Sequence, residues 1–483
     1  MLSFILIFLF CSIIVLTFIN QNSILFIRKF SLLVSSIILI LTINLLLQFD
    51  NSFSSFQFIE QYAFSTETFN INFVFGLDGI SIFLFVLTAL LTFLCILFIL
   101  DEKLLKYYAL NILVIELFLF LVFSTLDLLL FYIFFEAILI PMYLLVGIWG
   151  SRARKIRAAY LLFFYTLVGS LFMLLGLLYI YNTVGSVNFE YLFCYSFTFQ
   201  EQYWLWLAFF LSFASKIPVF PLHIWLPEAH VEAPTVGSVL LAGILLKLGV
   251  YGFLRISLAM FPEASLFFSP FLYLICTLGV VYASLTAIRQ TDIKRIVAYS
   301  SVAHMNLIVI GLFSFTSIGV DGALLQTISH GFVASALFFC IGILYSRYGS
   351  RSIFYYGGLV HVMPLYSTFF LIFTLANIAL PGTSSFIAEF LLFMGIFKIN
   401  STLTVVVALS VIIGGSYSLW LYNRLIFGNL KIYFMTNYSD LSFREFSILI
   451  PLAFPVIIIG VYPNSMLNLI QTSLYPLIFN ISF

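Results

Sequence analysis

Apolar stretches about twenty residues long follow one another along almost the whole chain. Of its 483 residues, 63% are hydrophobic and only 8% are charged, whereas a soluble domain is typically about 25% charged. Because hydrocarbon satisfies no backbone hydrogen bonds, a chain crosses a bilayer only as helices or as a closed barrel, and runs of this length favour helices. We therefore predict an all-α polytopic membrane protein. Its transmembrane helices, about 14 in number, begin near residues 2, 30, 78, 107, 127, 158, 203, 235, 270, 293, 320, 365, 402 and 446.

The basic residues indicate how these helices are oriented. Most of the 20 lysines and arginines lie in connections that lead from an odd-numbered helix to the next even-numbered one. The exceptions are Lys216, Lys247, Arg255 and Lys398. The opposite connections include 50–77, which we expect to be a loop, and 183–203; both carry acidic residues and no base. Basic loops stay on the cytoplasmic or matrix side, so both termini are predicted on the other side.

Four ionisable residues lie well inside apolar runs, at positions Glu136, Lys216, Lys247 and Glu389. A charge at bilayer depth costs roughly 2.5–3.5 kcal/mol on insertion scales, so such residues usually face one another or water and serve function. We predict a proton relay in which Glu136 pairs with Lys216, Lys247 is the central carrier and Glu389 is the distal exit group. The alternative is a set of static buried ion pairs.

Two predicted helices are interrupted close to these charges. The segment KIPVFP (216–221) begins at Lys216, and ALPGTS (379–384) ends shortly before Glu389. Proline removes a backbone donor, and unwound backbone at membrane depth persists only where protein or water covers it. Pro141 loosens the helix of Glu136 in the same way. Breaks at corresponding places in two halves of a chain indicate a transporter site, although a lone proline is common in transmembrane helices.

Two histidines, His304 and His330, lie about nine residues inside predicted helices. Histidine titrates near neutrality and suits a relay, so we predict both as intermediates between Lys247 and Glu389. Polar neighbours favour a hydrated seam, although they also permit simple hydrogen-bonded packing. These neighbours are Ser300, Ser301, Asn306, Thr327 and Ser329.

Other polar residues give weaker indications. The segment HIWLPEAHVEAP (223–234) contains four possible metal ligands, but we interpret it as a solvated loop at the basic-side mouth and predict no metal site. Glu116 lies mid-span without a second charge or a broken helix nearby in sequence. No cluster-binding cysteine spacing or nucleotide-binding loop is present, so we expect no cofactor on this chain. The net charge of +1 argues against nucleic acid.

Several segments resemble the antiporter-like membrane subunits of respiratory complex I, over most of the chain from about 75 to 430. The segments are FGLDGIS (75–81), FFEAILIPMYLLVGIWG (134–150), FASKIPVFPLHIWLPEAHVEAPTVGSVLLAGILLKLGVYG (213–252), RQTDIKRIVAYSSVAHMN (289–306) and SHGFVASALFF (329–339). The resemblance implies an Mrp antiporter-like fold with two inverted five-helix repeats and two broken helices. It divides the chain into helices 1–3 (1–106), a first repeat (107–258), a second repeat (259–430) and a C-terminal helix with its tail (431–483).

The resemblance also implies a function. We expect a proton-translocating subunit of the mitochondrial NADH:ubiquinone oxidoreductase, driven by quinone reduction in other subunits and using Glu136, Lys216, Lys247 and Glu389. NADH, FMN, iron–sulfur clusters and ubiquinone are then expected in partner subunits, and neighbouring antiporter-like subunits and lipids are the expected partners. The location would be the inner membrane, with both termini on the intermembrane-space side. The alternatives are a subunit of a multi-subunit Na⁺/H⁺ antiporter and an inactive scaffold of the same fold.

Overall fold

The computed structural model describes residues 1–65, 70–99, 103–431 and 439–479, which are almost entirely helical. The first elements are α1 (Leu2–Phe18), α2 (Ile24–Gln48), β1 (Gln57–Ser65), β2 (Asn70–Leu77), α3 (Ser81–Phe98), α4 (Leu105–Ser124), α5 (Leu128–Ala137), α6 (Leu139–Trp149), α7 (Lys155–Val184), α8 (Phe189–Cys194) and α9 (Phe199–Lys216). Next come α10 (Trp225–Glu232), α11 (Thr235–Leu240), a π-helical turn (Leu241–Leu245), α12 (Leu246–Gly252), a second π-helical turn (Phe253–Leu258) and α13 (Pro262–Ile288). The remainder comprises α14 (Ile293–Leu312), α15 (Ser317–Tyr348), two 3₁₀ turns (Ile353–Tyr355 and Leu359–His361), α16 (Pro364–Asn377), α17 (Ser384–Phe397), α18 (Ser401–Ile426), α19 (Phe443–Val461) and α20 (Asn464–Phe479).

The predicted multi-pass helical architecture is confirmed. Within the described ranges, 11 helical segments are long and apolar enough to cross a bilayer. Three shorter apolar helices, α1, α16 and α17, also coincide with predicted spans, and α9 coincides with the predicted span that begins near residue 203. The total of fourteen crossings stays a prediction, because length and composition alone do not decide whether these last segments span.

The connection 50–77, expected to be a loop, forms an antiparallel hairpin instead. Strands β1 and β2 pair in a register that sets Glu60 opposite Phe75 and Tyr62 opposite Phe73. Residues 66–69, between the strands, lie outside the described part of the chain. The segment is rich in aromatic and β-branched residues, which favour strands. Without a tight-turn dipeptide between two alternating runs, the usual sequence indication of a hairpin is missing.

Two compact units divide the chain. The first comprises Met1–Lys216, Tyr251–Phe267 and Asn468–Phe483, and the second comprises Ile217–Val250 and Phe268–Leu467. In the first unit, α3 packs on α4 through the stacked rings of Phe85 and Phe120, whose centroids are 4.1 Å apart. The repeat boundaries at 107–258 and 259–430 concern internal repetition of the helices rather than compactness. They stay a prediction.

In the second unit, α15 forms the centre and packs against α11, α14, α16, α17 and α19. Its central stretch is completely buried. The packing of α15 on α17 depends on Gly322, where an added Cβ would lie 2.7 Å from the backbone nitrogen of Leu392. Small residues allow this close approach of two helix backbones, and it places the side chains of α15 beside those of α17.

Both predicted helix breaks are confirmed. Helix α9 ends at Lys216, the chain turns through residues 217–224, and α10 follows. Helix α16 ends at Asn377 and α17 begins at Ser384, with Gly382 between them at φ 94°, a conformation that glycine adopts without strain. The helix that carries Glu136 is also interrupted, at Ile138 between α5 and α6, where Pro141 supplies no donor to the turn before it.

Candidate functional site

In the first unit, Glu136 and Lys216 face each other from α5 and α9. The Nζ atom of Lys216 lies 3.9 Å from Glu136 Oε1, at the outer limit of an ion pair. The same Nζ donates a hydrogen bond of 2.6 Å to the carbonyl oxygen of Phe135 and sits 3.4 Å from the centroid of that ring. The ammonium is therefore held by a backbone dipole and a ring face as well as by the carboxylate, and it can remain in place when the carboxylate takes up a proton.

In the second unit, Lys247 lies between the two π-helical turns and is completely buried. Its Nζ donates to the carbonyl oxygen of Ala242, which lies in the first π-helical turn. A wide turn of this kind redirects backbone carbonyls, and π-bulges are frequent at functional sites. The same Nζ lies 2.8 Å from Nδ1 of His330 on α15. Lysine and imidazole thus share one hydrogen bond along which a proton can move.

The series continues from His330 to α14 and α17. The rings of His330 and His304 have centroids 5.8 Å apart, and Nδ1 of His304 lies 3.1 Å from Glu389 Oε1. Gln326 on α15 donates to the same carboxylate oxygen at 3.1 Å. Four titratable groups from α12, α14, α15 and α17 therefore adjoin one another in the order Lys247, His330, His304 and Glu389.

Each residue predicted for the relay lies in one of these two centres. Glu136 adjoins Lys216 as expected, and both predicted histidines lie between Lys247 and Glu389 as expected. The part that these residues play in transport stays a prediction. Such an arrangement can pass a proton between neighbouring nitrogen and oxygen atoms, because each neighbour can both accept and release one.

The sequence did not single out Gln326 or Tyr417, both of which adjoin the distal carboxylate. Gln326 contacts Glu389 and also lies 3.5 Å from Nδ1 of His304. Tyr417 on α18 is buried beside Glu389, Ser300 and Asn377. A glutamine within an apolar run indicates a buried polar contact, so Gln326 could have been identified from the sequence. A tyrosine in a chain with 27 of them carries no comparable indication.

The interpretation of 223–234 as a solvated loop was wrong. Most of it forms α10, and His223, His230 and Glu232 are buried, with only Glu228 partly exposed in an ion pair with Arg295. Pro234 cannot continue the helix, so the last carbonyls of α10 accept bonds from elsewhere. Arg351 donates to Val231 O, Lys294 donates to Ala233 O at 3.0 Å, and Ser238 donates to His230 O.

Lys294 and Arg351 were assigned to basic-side connections from the sequence, yet both are buried. Arg351 also lies 3.8 Å from Glu232, which places two cations and a carboxylate around the end of α10. Cations stabilise the carbonyl end of a helix. Within the described ranges, no group of three or more His, Cys, Asp or Glu side chains is placed to hold a metal ion.

Glu116 is completely buried in the first unit, where Thr92 donates to its Oε1 at 2.7 Å. The oxygen Oε2 has no hydrogen-bond partner among the residues that the structure describes. Its partner is thus a hydroxyl rather than a cation. Within the described part of the chain, no hydrogen bond or ion pair joins Glu116 to the two charged centres.

Comparisons with known proteins give three findings. A sequence profile described as "NADH:quinone oxidoreductase/Mrp antiporter, TM" matches residues 125–415. NADH-ubiquinone oxidoreductase chain 4 of Chondrus crispus is 53% identical over 448 residues, which are 92% of this chain and 91% of that protein. Chain 4 of Arabidopsis thaliana is 51% identical over 467 residues, covering 96% of this chain and 94% of that protein.

Solved structures agree with the sequence comparisons. A chain of respiratory complex I from Thermus thermophilus with bound NADH superposes with a TM-score of 0.90 at 29% identity, covering 100% of both chains. A chain of the Mrp complex from Dietzia superposes with a TM-score of 0.86 at 20% identity, covering 99% of this chain and 97% of that one. The second likeness concerns the fold alone.

Proposed function

The chain belongs to the family of NADH:quinone oxidoreductase and Mrp antiporter membrane subunits, and on that premise we propose that its two buried charged centres form the path along which it moves protons. It is a multi-pass, proton-translocating subunit of the membrane arm of NADH:ubiquinone oxidoreductase, and its partners are other subunits of that complex. The enzyme activity belongs to the assembly.

The observation that carries the proposal is the series of adjacent titratable groups in the second unit. Lys247 Nζ adjoins His330 at 2.8 Å, the two imidazole rings adjoin each other, and His304 adjoins Glu389 at 3.1 Å. Groups with interchangeable donor and acceptor roles at these separations support proton transfer from one to the next. The alternative is a static buried ion pair. A static pair would require neither the two histidines nor a lysine whose neighbour is an imidazole.

The pair Glu136 and Lys216 supplies a control element for the relay. When the carboxylate is ionised, it stabilises the ammonium 3.9 Å away, and when it is protonated that attraction ends. The charge of one group therefore sets the proton affinity of the other, so a change imposed by a neighbouring subunit could move a proton through the pair. The proposed order is Glu136 and Lys216, then Lys247, His330, His304 and Glu389.

The redox chemistry takes place elsewhere in the proposed assembly. NADH, FMN, iron–sulfur clusters and ubiquinone would be bound by partner subunits, and quinone reduction there would drive the proton steps here. The proposed location is the mitochondrial inner membrane, as the resemblance to subunits of the respiratory complex implies. The distribution of basic loops supports an orientation with both termini on the intermembrane-space side.

The alternative function, a subunit of a Na⁺/H⁺ antiporter, is not favoured. The relatives that share about half of the sequence over nearly the full chain are oxidoreductase chains, whereas the Mrp likeness is 20% identical. The inactive scaffold is opposed by the two complete charged centres.

Replacing His330 with glutamine tests the proposal, because the amide keeps a hydrogen bond to Lys247 but cannot carry a proton onward. We expect the assembled complex to form and to reduce an artificial electron acceptor normally, while protons translocated per NADH oxidised decrease. Ser335→Ala is the matched control, since Ser335 is also buried on α15 and its hydroxyl donates to the carbonyl oxygen of Phe332. An unchanged proton-to-electron ratio in His330→Gln would remove this series from the mechanism.

A further inference from the structure

A cluster of basic residues lies beside an apolar groove at the start of α7. Arg152, Arg154, Lys155 and Arg157 fall within six residues of sequence, immediately before and inside a membrane-spanning helix. The side chain of Lys155 already forms a hydrogen bond, because its Nζ donates to the carbonyl oxygen of Ile148 at 2.6 Å. The three arginines are exposed, and none of them forms an ion pair within the described part of the chain.

Among the residues that the structure describes, no carboxylate forms an ion pair that compensates this positive charge. No acidic residue occurs in the sequence between Glu136 and Glu190. Some basic residues in similar connections do have carboxylate partners, as Arg295 does with Glu228 and Arg347 does with Glu445. If the arginines served only to set the orientation of α7 in the membrane, an apolar groove beside them would have no role.

The groove has a volume of about 540 Å³ and follows the outer face of α7. Its lining begins at Ala153 and Arg157 and continues over Tyr160, Leu161 and Phe164. Tyr160 is 47% exposed and Phe164 54% exposed. The volume lies within the range of sites that hold a small molecule, and the lining changes from a guanidinium at one end to aromatic and aliphatic surface at the other.

We propose that this groove binds an anionic phospholipid, with the phosphate at Arg152, Arg154 and Arg157 and the start of an acyl chain along Tyr160 and Phe164. Guanidinium groups bind phosphate in a bidentate manner. Clusters of four or more basic residues immediately beside a transmembrane helix, on the side of the basic loops, are typical of anionic-lipid recognition. The combination of headgroup charge and apolar groove distinguishes a lipid from a free phosphate ion. This binding site is additional to the proton path.

The test uses the assembled complex in phosphatidylcholine vesicles that contain a trace of phosphatidylglycerol with a diazirine on one acyl chain. After illumination, labelled peptides are mapped, and we expect labelling within 153–165. Unlabelled phosphatidylglycerol should displace the probe, whereas phosphatidylcholine and inorganic phosphate should not. Raising the ionic strength should reduce the labelling of the native protein, because salt screens exposed charges.

Two variants separate the headgroup from the groove. In R152Q/R154Q/R157Q, we expect labelling to fall by about a hundredfold, since each basic residue near an anionic headgroup contributes roughly fivefold in affinity. Ala153→Trp keeps the charges and fills the groove, and it should also reduce labelling. The matched control K29Q/R289Q/R424Q removes three exposed cations from other basic connections and should leave labelling unchanged.

Labelling of 153–165 that survives in both the arginine variant and Ala153→Trp would overturn the proposal. So would equal displacement by phosphatidylcholine, which would show a surface without charge selectivity. Displacement by inorganic phosphate would show an anion site without a lipid. If the arginine variant does not assemble, the salt dependence of the native complex and the Ala153→Trp variant still decide the question.

Discussion

At the scale of the residue, the two central lysines are stabilised in different ways. Lys216 has a carboxylate 3.9 Å away, a carbonyl oxygen and an aromatic face. Lys247 has a carbonyl oxygen and an imidazole, and no carboxylate forms an ion pair with it among the described residues. A full charge is therefore balanced at Lys216 by an opposite charge and at Lys247 by dipoles alone. This difference suits a pair whose charge can be switched at Lys216 and a proton carrier at Lys247.

Replacing Lys216 with methionine keeps the length of the side chain and removes its charge. We expect the rate of proton translocation to fall roughly a hundredfold, the usual size of a lost proton-transfer group, while the complex still assembles. Proton uptake by vesicles during NADH oxidation measures the rate of translocation. Lys398→Met, at an exposed lysine, is the control. Normal pumping in Lys216→Met would exclude Lys216 from the path.

His230 provides a prediction about pH, because it lies on α10, outside the helices long enough to span. Burial, with smaller contributions from Lys294 and Lys247, lowers the pKa of His230 from 6.5 to about 3. The unfolded chain therefore binds this proton below pH 6.5 and the folded chain does not. Its contribution to stability is complete above pH 6.5 and is lost progressively as the pH falls towards 3.

His230→Leu should therefore weaken the loss of stability on acidification. We expect the difference in thermal stability between pH 7.5 and pH 5.5 to shrink by about 1 kcal/mol in the variant, since one pH unit corresponds to about 1.4 kcal/mol. Thermal unfolding of the detergent-solubilised complex measures the stability at both pH values. The same substitution at His361, which is exposed, is the control. An unaltered pH dependence in His230→Leu would contradict the inference.

At the scale of the element, interrupted helices place the charges. Lys216 is the last residue of α9, and Glu389 lies in the second turn of α17, after the break that Gly382 permits. The carbonyls released at a break need donors, and side chains provide them: Asn306 donates to Pro218 O at 3.1 Å, and Ser385 donates to Ala376 O. The breaks are therefore stabilised structures with polar surroundings.

Gly322→Ala tests how closely α15 and α17 must pack. The new Cβ would lie 2.7 Å from Leu392 N and 3.0 Å from Ala388 O, so α17 must move. We expect a loss of about 1–3 kcal/mol in stability, as for other overpacked interiors, together with reduced pumping because Glu389 shifts away from His304. Thermal unfolding and proton uptake measure the two effects.

Gly414→Ala is the matched control, because its Cβ would meet only an atom 3.8 Å away and lies within α18. Helical alanine is favoured over glycine by about 0.5–1 kcal/mol, so this variant should be neutral or slightly more stable. Full stability and full pumping in Gly322→Ala would show that α15 and α17 can accommodate a methyl group at this contact, contrary to the distances above.

At the scale of the whole molecule, each compact unit holds one charged centre, and the first unit also contains a buried ion pair between residues far apart in sequence. In the first unit, Arg255 forms an ion pair of 2.6 Å with Asp78, although 177 residues separate them in sequence. Asp78 also accepts from the backbone of Ser81 at the start of α3. The pair thereby joins the end of the hairpin to the second π-helical turn.

Removing one partner of this anchor should be more harmful than removing both. Arg255→Gln leaves the Asp78 carboxylate buried without its cation, and such a loss typically costs about 3–5 kcal/mol. We expect Asp78→Asn combined with Arg255→Gln to cost less than Arg255→Gln alone, and therefore less than the sum of the single changes. Thermal unfolding of the complex for all four members of this cycle measures the coupling. Additive effects would show that the contact contributes little.

Much of this architecture could be predicted locally. Hydropathy predicts membrane helices because an apolar run has no other stable state in a bilayer, and prolines predict breaks because they lack a donor. Buried charges could be identified as candidates from their cost alone. The hairpin was missed since its strands pair across residues that carry no tight-turn dipeptide. The burial of 223–234 was missed since hydropathy does not reveal which polar segments other helices cover.

Local patterns in the chain are therefore enough to predict most helical segments, their breaks and the ionisable residues of the two charged centres, because these properties depend on neighbours in sequence. Which of these residues contact one another depends on how the helices pack. Packing on the central helix α15 placed His330 beside Lys247, and packing of α17 placed Glu389 beside His304. It also buried Lys294 and Arg351 at the end of α10. These contacts join residues far apart in sequence, and no local pattern encodes which of many similar apolar helices will pack together.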